Sequence, residues 1–551
     1  MEAPGTPLTF GDINIVAVTD VHSWVAGHGK HEPALDADYG DVLSFVQELR
    51  EKHPNVYFVM NGDFVDGTGL STVPPEHLTP ILEQMPFSAI NMGNHELYHN
   101  HTVTFLHTSG FIDHWNGNYL TTNTYWAGTN KHIGQPYTYL GGTNGLPRVL
   151  TFGMLYNFQQ NCEITEVKKV QETVRMEWFQ KVLLQRDYDA ILVLAHMDYV
   201  DPLVGFLHRS IRALVGPEMP IQFINGHSHR RGFKVYDRTC TAFEPGRFLD
   251  TVGFVSFPTL ESVQKSDAPE SLFRHVFLNA SKSALANAVG NDTKTPEGTH
   301  LTDFIHQTQQ DMGLEKVLGC TDQSYYTARP FASPDALYGL AMREVLPFNF
   351  RYDQSSIFLS GTDALRYDLF KGTVTVDDLI AVNPFEDFIF LAASNVTGSE
   401  ILASFQSWEE EPGFHFHWSG TSDIDPRHTY NVYAVDFELE PIRNRLQDIT
   451  GRKLGPPTKW TRENGSAVTT SVVWQDFVVH KWPCSVLSPR RRMEFEVRDN
   501  SAFLGYTFLG MAMVCLAFVT LVSRLTTRQR EVRREPSPGN NNKVRGYGSL
   551  N

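Results

Sequence analysis

Five short runs in the first half of the chain are apolar or alternate apolar with polar residues: Ile13–Val18, Val56–Met60, Ser88–Met92, Ala190–Ala195 and Ile221–Ile224. Each is too short for a helix and stops at polar residues, often with glycine, so each reads as a strand. Between the first two, Val42, Phe45, Val46 and Leu49 recur at helical spacing within Asp41–Lys52, and His53-Pro54 ends the pattern. Strands alternating with helices predict a layered α/β fold with a largely parallel sheet, whose ligands gather outside the carboxyl ends of the strands.

The residues at the end of each run carry chemistry. The segments are Asp20-Val21-His22, Gly62-Asp63-Phe64-Val65-Asp66-Gly67, Gly93-Asn94-His95-Glu96, His196, and Gly226-His227-Ser228-His229. Any one of them alone reads more simply as a turn or a satisfied core histidine. In succession they aim carboxylates, an amide and imidazoles at one place, as a two-metal hydrolase needs. Nitrogen and oxygen donors without thiolate suit two divalent ions drawn from Zn, Mn, Fe or Co. Such a pair, about 3.5–4 Å apart, clamps a phosphoryl group and acidifies a shared water, so a bridging hydroxide is the expected nucleophile.

This order of motifs resembles the calcineurin-like metallophosphoesterase family over residues 11–262. The resemblance implies an αββα sandwich. It implies one metal held by Asp20, His22, Asp63 and His229 and the other by Asp63, Asn94, His196 and His227, with Asp63 as the bridge and Asn94 also facing substrate. His95 lies outside both sets, and the resemblance makes it the general acid for the leaving oxygen, work that suits an imidazole. The 5′-nucleotidase branch has an aspartate three residues after that histidine, where this chain has Tyr98; Asp66, the second aspartate of GDxxDG, is the expected substitute. Purple members of the family use a tyrosine in the second motif, and Phe64 here argues against an iron–tyrosinate pair. His28, His31, His99, His101, His415 and His417 fit no motif and read as surface or supporting residues.

Length allows several domains. The phosphoesterase reading covers residues 1–262; residues 263–318 read as a connecting segment with a linker helix from Leu301 to Leu318. A smaller α/β or α+β domain is expected over 319–490. There, Ile357–Arg366 and Gly372–Phe385 resemble the C-terminal domain of 5′-nucleotidases, which implies that Arg366 contacts phosphate or ribose and that Phe385 stacks on a base. Ser360 and the shortened glycine run Gly361-Thr362-Asp363 depart from that pattern, and nothing after Val435-Asp436-Phe437 supplies a second stacking aromatic.

Phe503–Val522 is apolar enough to span a bilayer as a helix, expected over 503–523. Arg524, Arg528, Arg530, Arg533 and Arg534 follow it, which places residues 524–551 in the cytosol; Arg490, Arg491 and Arg492 on the other side weaken that signal. Met1–Thr6 shows no signal peptide. A processed lumenal or extracellular enzyme, at the cell surface or in a vacuole or lysosome, is favoured over tail insertion. Tyr547–Leu550 resembles a sorting signal for a cytosolic adaptor, and sequons stand at Asn100, Asn279, Asn291, Asn395 and Asn464. Cys162, Cys240, Cys320 and Cys484 are compatible with two disulfides or none. A net charge of −16 gives no electrostatic case for nucleic acid.

The sequence thus points to a membrane-anchored phosphohydrolase of nucleotides. A phosphodiesterase acting on nucleotide sugars, cyclic nucleotides or phospholipid-type diesters is the alternative, and a receptor-like binding protein or pseudoenzyme the reading from another class.

Overall fold

In a computed structural model the described residues are 8–484 apart from 267, 269, 291–293, 350–354, 362–363, 386, 406–416, 420–423 and 463–464. Two six-stranded sheets form the first half. One runs Arg274–Asn279, Thr251–Phe257, Ile13–Val18, Val56–Asn61, Ala89–Asn91, Tyr119–Leu120; the other Arg231–Asp237, Cys240–Pro245, Ile221–Asn225, Ala190–His196, Arg148–Leu155, Tyr137–Gly141. The central strands are parallel, while Thr251–Phe257, Arg274–Asn279, Arg231–Asp237 and Tyr137–Gly141 pair antiparallel. The two sheets are those of the expected αββα sandwich, and each is mixed where the strand pattern alone predicted a largely parallel one.

The run Ile13–Val18 shows why the strands read as continuous apolar stretches. Ile13, Ile15 and Ala17 pack between the sheets with Val59, Leu192, Ile224 and Phe243, whereas Val16 and Val18 pack under the helical layer with Val42, Phe45 and Leu49. Both faces are dry, so both registers must be apolar. The helix Tyr39–Lys52 begins two residues before its expected start, because Asp38 and Asp41 cap each other's backbone amides in a capping box.

The sandwich also runs past residue 262: Arg274–Asn279 adds an edge strand beside Thr251–Phe257. The linker helix spans Pro296–Asp311 instead of 301–318. Thr295 caps its start, and Gly313, at φ +68°, turns the chain before Val317–Thr321 enters a strand pair with Gly372–Thr375.

The C-terminal half is an α+β unit built on a five-stranded sheet, ordered His417–Ser419, Ser356–Ser360, Thr429–Val435, Ile389–Thr397, Thr458–Lys459. Helices Val376–Val382, Gly398–Phe405, Asp436–Thr450 and Thr470–Lys481 accompany it, and residues through Pro483 form one compact unit. Cys320 is disulfide-bonded while Cys162 and Cys240 keep free thiols, so the cysteines form neither two bridges nor none. No helix among the described residues is long and apolar enough to cross a membrane. Phe503–Val522, the arginines around it, Tyr547–Leu550, Asn291 and Asn464 lie outside the described residues.

Candidate metal centre

The strand ends meet in one buried cluster. Asp20, His22 and His229 bring ligand atoms within 4.8 Å of one another, as do Asp63, His196 and His227, and His22, Asp63 and His95 join the two groups. Asp63 Oδ2 lies 3.0 Å from His196 Nε2 and 3.8 Å from His22 Nε2, between the two halves of the cluster. Asp20 Oδ1 stands 3.6 Å from His229 Nε2 and accepts the His227 backbone amide at 2.8 Å.

Holding these groups together strains the chain. Asp20, His22, Asp63, Asp66, His227 and His229 all sit at φ between +46° and +74°, a region that L residues with side chains rarely occupy. The glycines between them are sterically required. A Cβ on Gly93 would come within 2.2 Å of Asp63 Oδ1, and one on Gly62 within 2.5 Å of the Gly93 nitrogen.

The imidazoles are presented as ligands by their second nitrogens. His22 Nδ1 donates to the Val65 carbonyl at 2.7 Å and His196 Nδ1 to the Asn61 carbonyl at 2.8 Å, which leaves each Nε2 facing inward. Burial holds His22 and His229 well below the ordinary histidine range and His227 at about 4, with Arg366 adding to the first two. These are neutral side chains at neutral pH, the form that binds metal. Burial also pushes Asp20 up to about 8, despite His196. At Asp63 burial acts the same way, but His196, His95 and His22 outweigh it and keep that carboxylate well below its usual range.

One observation fits a cation at this place. Asn94 Oδ1 is buried without a hydrogen-bond partner, and it belongs to the second expected ligand set. A buried acceptor left without a donor costs about 1–3 kcal/mol, so its retention points to a ligand. Two divalent metal ions are the cofactors this donor set suits.

His95 stands beside the cluster, its Nε2 4.0 Å from Asp63 Oδ2 and its Nδ1 2.9 Å from Asp66 Oδ2. Tyr98 acts on Asn94 instead. Its hydroxyl accepts from Asn94 Nδ2 at 3.2 Å and turns the amide oxygen inward. Burial and Asp63 push Tyr98 up to about 12, so it remains a hydroxyl.

The C-terminal half reaches the same place. Arg366 Nη2 lies 3.0 Å from His22 Nε2 and Nη1 3.4 Å from His95 Nε2. Phe385 lies nearly parallel to His95, ring centroids 6.2 Å apart at 22°, with the Arg366 guanidinium 5.6 Å from its ring.

Some supporting residues were not assigned from the sequence. Glu96 is fully buried and accepts the backbone amides of Asp63 (3.0 Å), Phe64 (2.8 Å), Val65 (3.3 Å) and Gly93 (2.7 Å). Asn61 ties the sheets together beneath the cluster, donating to Ala195 and Ile224 carbonyls and accepting from Asn91. Arg247 Nη1 comes within 3.5 Å of His229 Nδ1. Only Glu96 had a signal, its place in GNHE.

Comparison with known proteins agrees with this geometry. The calcineurin-like phosphoesterase profile matches residues 13–231, and the NAD nucleotidase C-terminal domain profile matches residues 323–421. An uncharacterized protein of Schizosaccharomyces pombe is 30% identical over 426 residues, covering 69% of this chain and 69% of its own. A secreted protein of Arthroderma benhamiae is 28% identical over 439 residues, covering 70% of this chain and 65% of its own. Among solved structures, a 5′-nucleotidase from Candida albicans superposes with a TM-score of 0.77 at 22% identity, covering 86% of this chain and 99% of that one.

Proposed function

As the chain belongs to the calcineurin-like phosphoesterases and is a metal-dependent phosphoric ester hydrolase, we propose that it removes phosphate from nucleotides in the manner of a 5′-nucleotidase. The observation that carries this is the arrival of Arg366 and Phe385 from the C-terminal half beside His22 and His95. A guanidinium over the cluster meets an anionic phosphoryl group, and an aromatic face beside it offers a stacking surface for a base.

In this reading Asp20, His22, Asp63 and His229 would hold one metal and Asp63, Asn94, His196 and His227 the other, and such a pair would supply charge neutralisation at the phosphoryl oxygens and an acidic water. His95 delivers a proton from Nε2 to the leaving oxygen, and Asp66 keeps the ring in place through Nδ1. Arg366 orients the phosphoryl group, and the buried walls exclude bulk water.

A diester or pyrophosphate substrate is the second reading, favoured by the match of residues 323–421 to a domain of NAD nucleotidases. We place the catalytic half outside the cytosol, supported by the secreted relative, with the apolar run Phe503–Val522 as the anchor.

The test is a substrate panel of nucleoside mono- and diphosphates, nucleotide sugars, diesters and aryl phosphates with Mn, Zn or Co. Mononucleotides should lead, and Phe385→Ala should cost them about 5- to 150-fold in kcat/KM, the equivalent of about 1–3 kcal/mol of stacking, while aryl phosphates lose less. A preference for diesters, or nucleotide kinetics indifferent to Phe385, would refute the mononucleotide reading.

A further inference from the structure

Beside the metal centre the two halves of the chain are fastened by residues that carry no family motif. The Tyr367 hydroxyl donates to the Glu32 carboxylate and lies 2.6 Å from His28 Nδ1. His28 is held in turn: Nε2 donates to the Phe248 carbonyl at 2.5 Å, Nδ1 is 3.1 Å from Glu32 Oε2, and the ring stacks on Trp24 at 4.4 Å and 7°. Trp24 also meets the Tyr367 ring at 4.2 Å. Phe248 continues the contact inward, its ring 5.5 Å from His22 and 5.2 Å from His229.

A second set of contacts lies further along the same surface. Asp378 accepts from Lys30 Nζ at 2.7 Å and pairs with His31 Nε2 at 2.8 Å, and Asp377 accepts the Gly69 amide at 2.6 Å. These contacts connect the segment Gly27–Glu32 and the turn after GDxxDG to the segment Arg366–Asp378. Arg366 is the immediate neighbour of Tyr367, and its own amide is tied to the Val382 carbonyl at 2.9 Å.

We propose that Tyr367 is a positioning residue: clasped by Glu32 and His28 of the phosphoesterase half, it fixes the neighbouring Arg366 guanidinium over His22 and His95 and thereby sets the rate of phosphoryl transfer. This rests on the reading that Arg366 meets the phosphoryl group. An arginine side chain has many rotamers to lose, and a misplacement of about 1 Å in a reacting constellation costs roughly 100-fold. Anchoring the adjacent backbone to the half that bears the metal ligands removes much of that freedom before substrate arrives.

The test is a double-mutant cycle on the full chain with a simple aryl phosphate and saturating Mn. Tyr367→Phe keeps the ring against Trp24 and removes only the hydroxyl. It should lower kcat about 10-fold with bound metal and Tm unchanged, and Glu32→Gln should do the same. In an Arg366→Ala background, Tyr367→Phe should cost less than twofold, because the group it positions is gone. Wild-type turnover in both Tyr367→Phe and Glu32→Gln would overturn the proposal while leaving the Arg366 reading intact. An equal loss with and without Arg366 would likewise overturn it, showing a purely structural contact. Wild-type turnover in Arg366→Ala alone would overturn both readings.

Discussion

Replacing Glu96 with glutamine tests the idea that the metal cluster depends on a carboxylate whose contacts are backbone amides. In the native chain one oxygen accepts the Asp63 and Gly93 amides and the other the Phe64 and Val65 amides. Burial and the Asp63 charge push Glu96 upward, but a protonated acid would turn an O–H towards two of these donors, so the ionised form is the one they fit. Glutamine has the same shape and sets an NH2 group against one pair. Two orphaned buried donors at about 1–3 kcal/mol each predict a loss of roughly 2–6 kcal/mol, against a total stability of about 5–15 kcal/mol for an ordinary domain. The Asp63 backbone, held at φ +50°, should relax, and metal affinity should fall about 10- to 100-fold, the usual cost of losing an outer support. Urea denaturation of the chelated protein and calorimetric metal titration measure the two effects separately. Stability within about 1 kcal/mol of wild type, together with undiminished metal affinity, would refute the argument.

Other expectations rest on the same geometry. Asp63→Asn should abolish aryl phosphate hydrolysis and reduce bound metal, since this carboxylate lies between both ligand groups; undiminished turnover would exclude a two-metal reaction. His95→Asn should retain metal and lose about 10²- to 10⁴-fold in rate, less for leaving groups that need no proton, and equal losses across leaving groups would rule out proton donation by His95. His275, far from the cluster in the sandwich, is pulled down to about 4, chiefly by burial and further by Arg274. Its folded value lies below its unfolded one, so its contribution is complete above about pH 6.5 and is lost as pH falls towards 4, by at most roughly 3 kcal/mol. Denaturation of wild type and His275→Asn across pH 7.5 to 4.5 should show the variant's curve flatter, and parallel curves would refute the assignment.

The strands and the residues that cluster at their ends were legible because burial on both faces leaves an unbroken apolar run, and because each run breaks at residues with obvious chemistry. Ile13–Val18 coincides with its expected limits, and Ala190–His196 extends only to its ligand. The strand Arg274–Asn279 escaped notice because it is an edge strand whose alternation is weak, with Arg274 and Asn279 exposed. The linker helix shifted because Thr295-Pro296 is a stronger start than the apolar spacing from Leu301. Glu96 stands within the GNHE motif, but its work is on backbone amides that converge only after the turn has folded. His28 and His31 had no signal at all: their partners Tyr367 and Asp378 lie more than three hundred residues away in sequence, and only tertiary packing creates the contact.

The six residues Asn61–Asp66 do more than set Asp63 between the two groups of the cluster. Their carbonyls set the tautomers of His22 and His196, accept the amides of Asp20, His22 and Ser23, and their last side chain holds His95. Both halves of the cluster are thus referenced to one short ruler, and its graduations are peptide units. Side-chain changes elsewhere can degrade the enzyme by degrees, but inserting or deleting a single residue here would shift every mark at once. A one-residue change of length in this segment therefore reaches both halves of the cluster together, where a side-chain change reaches one contact at a time.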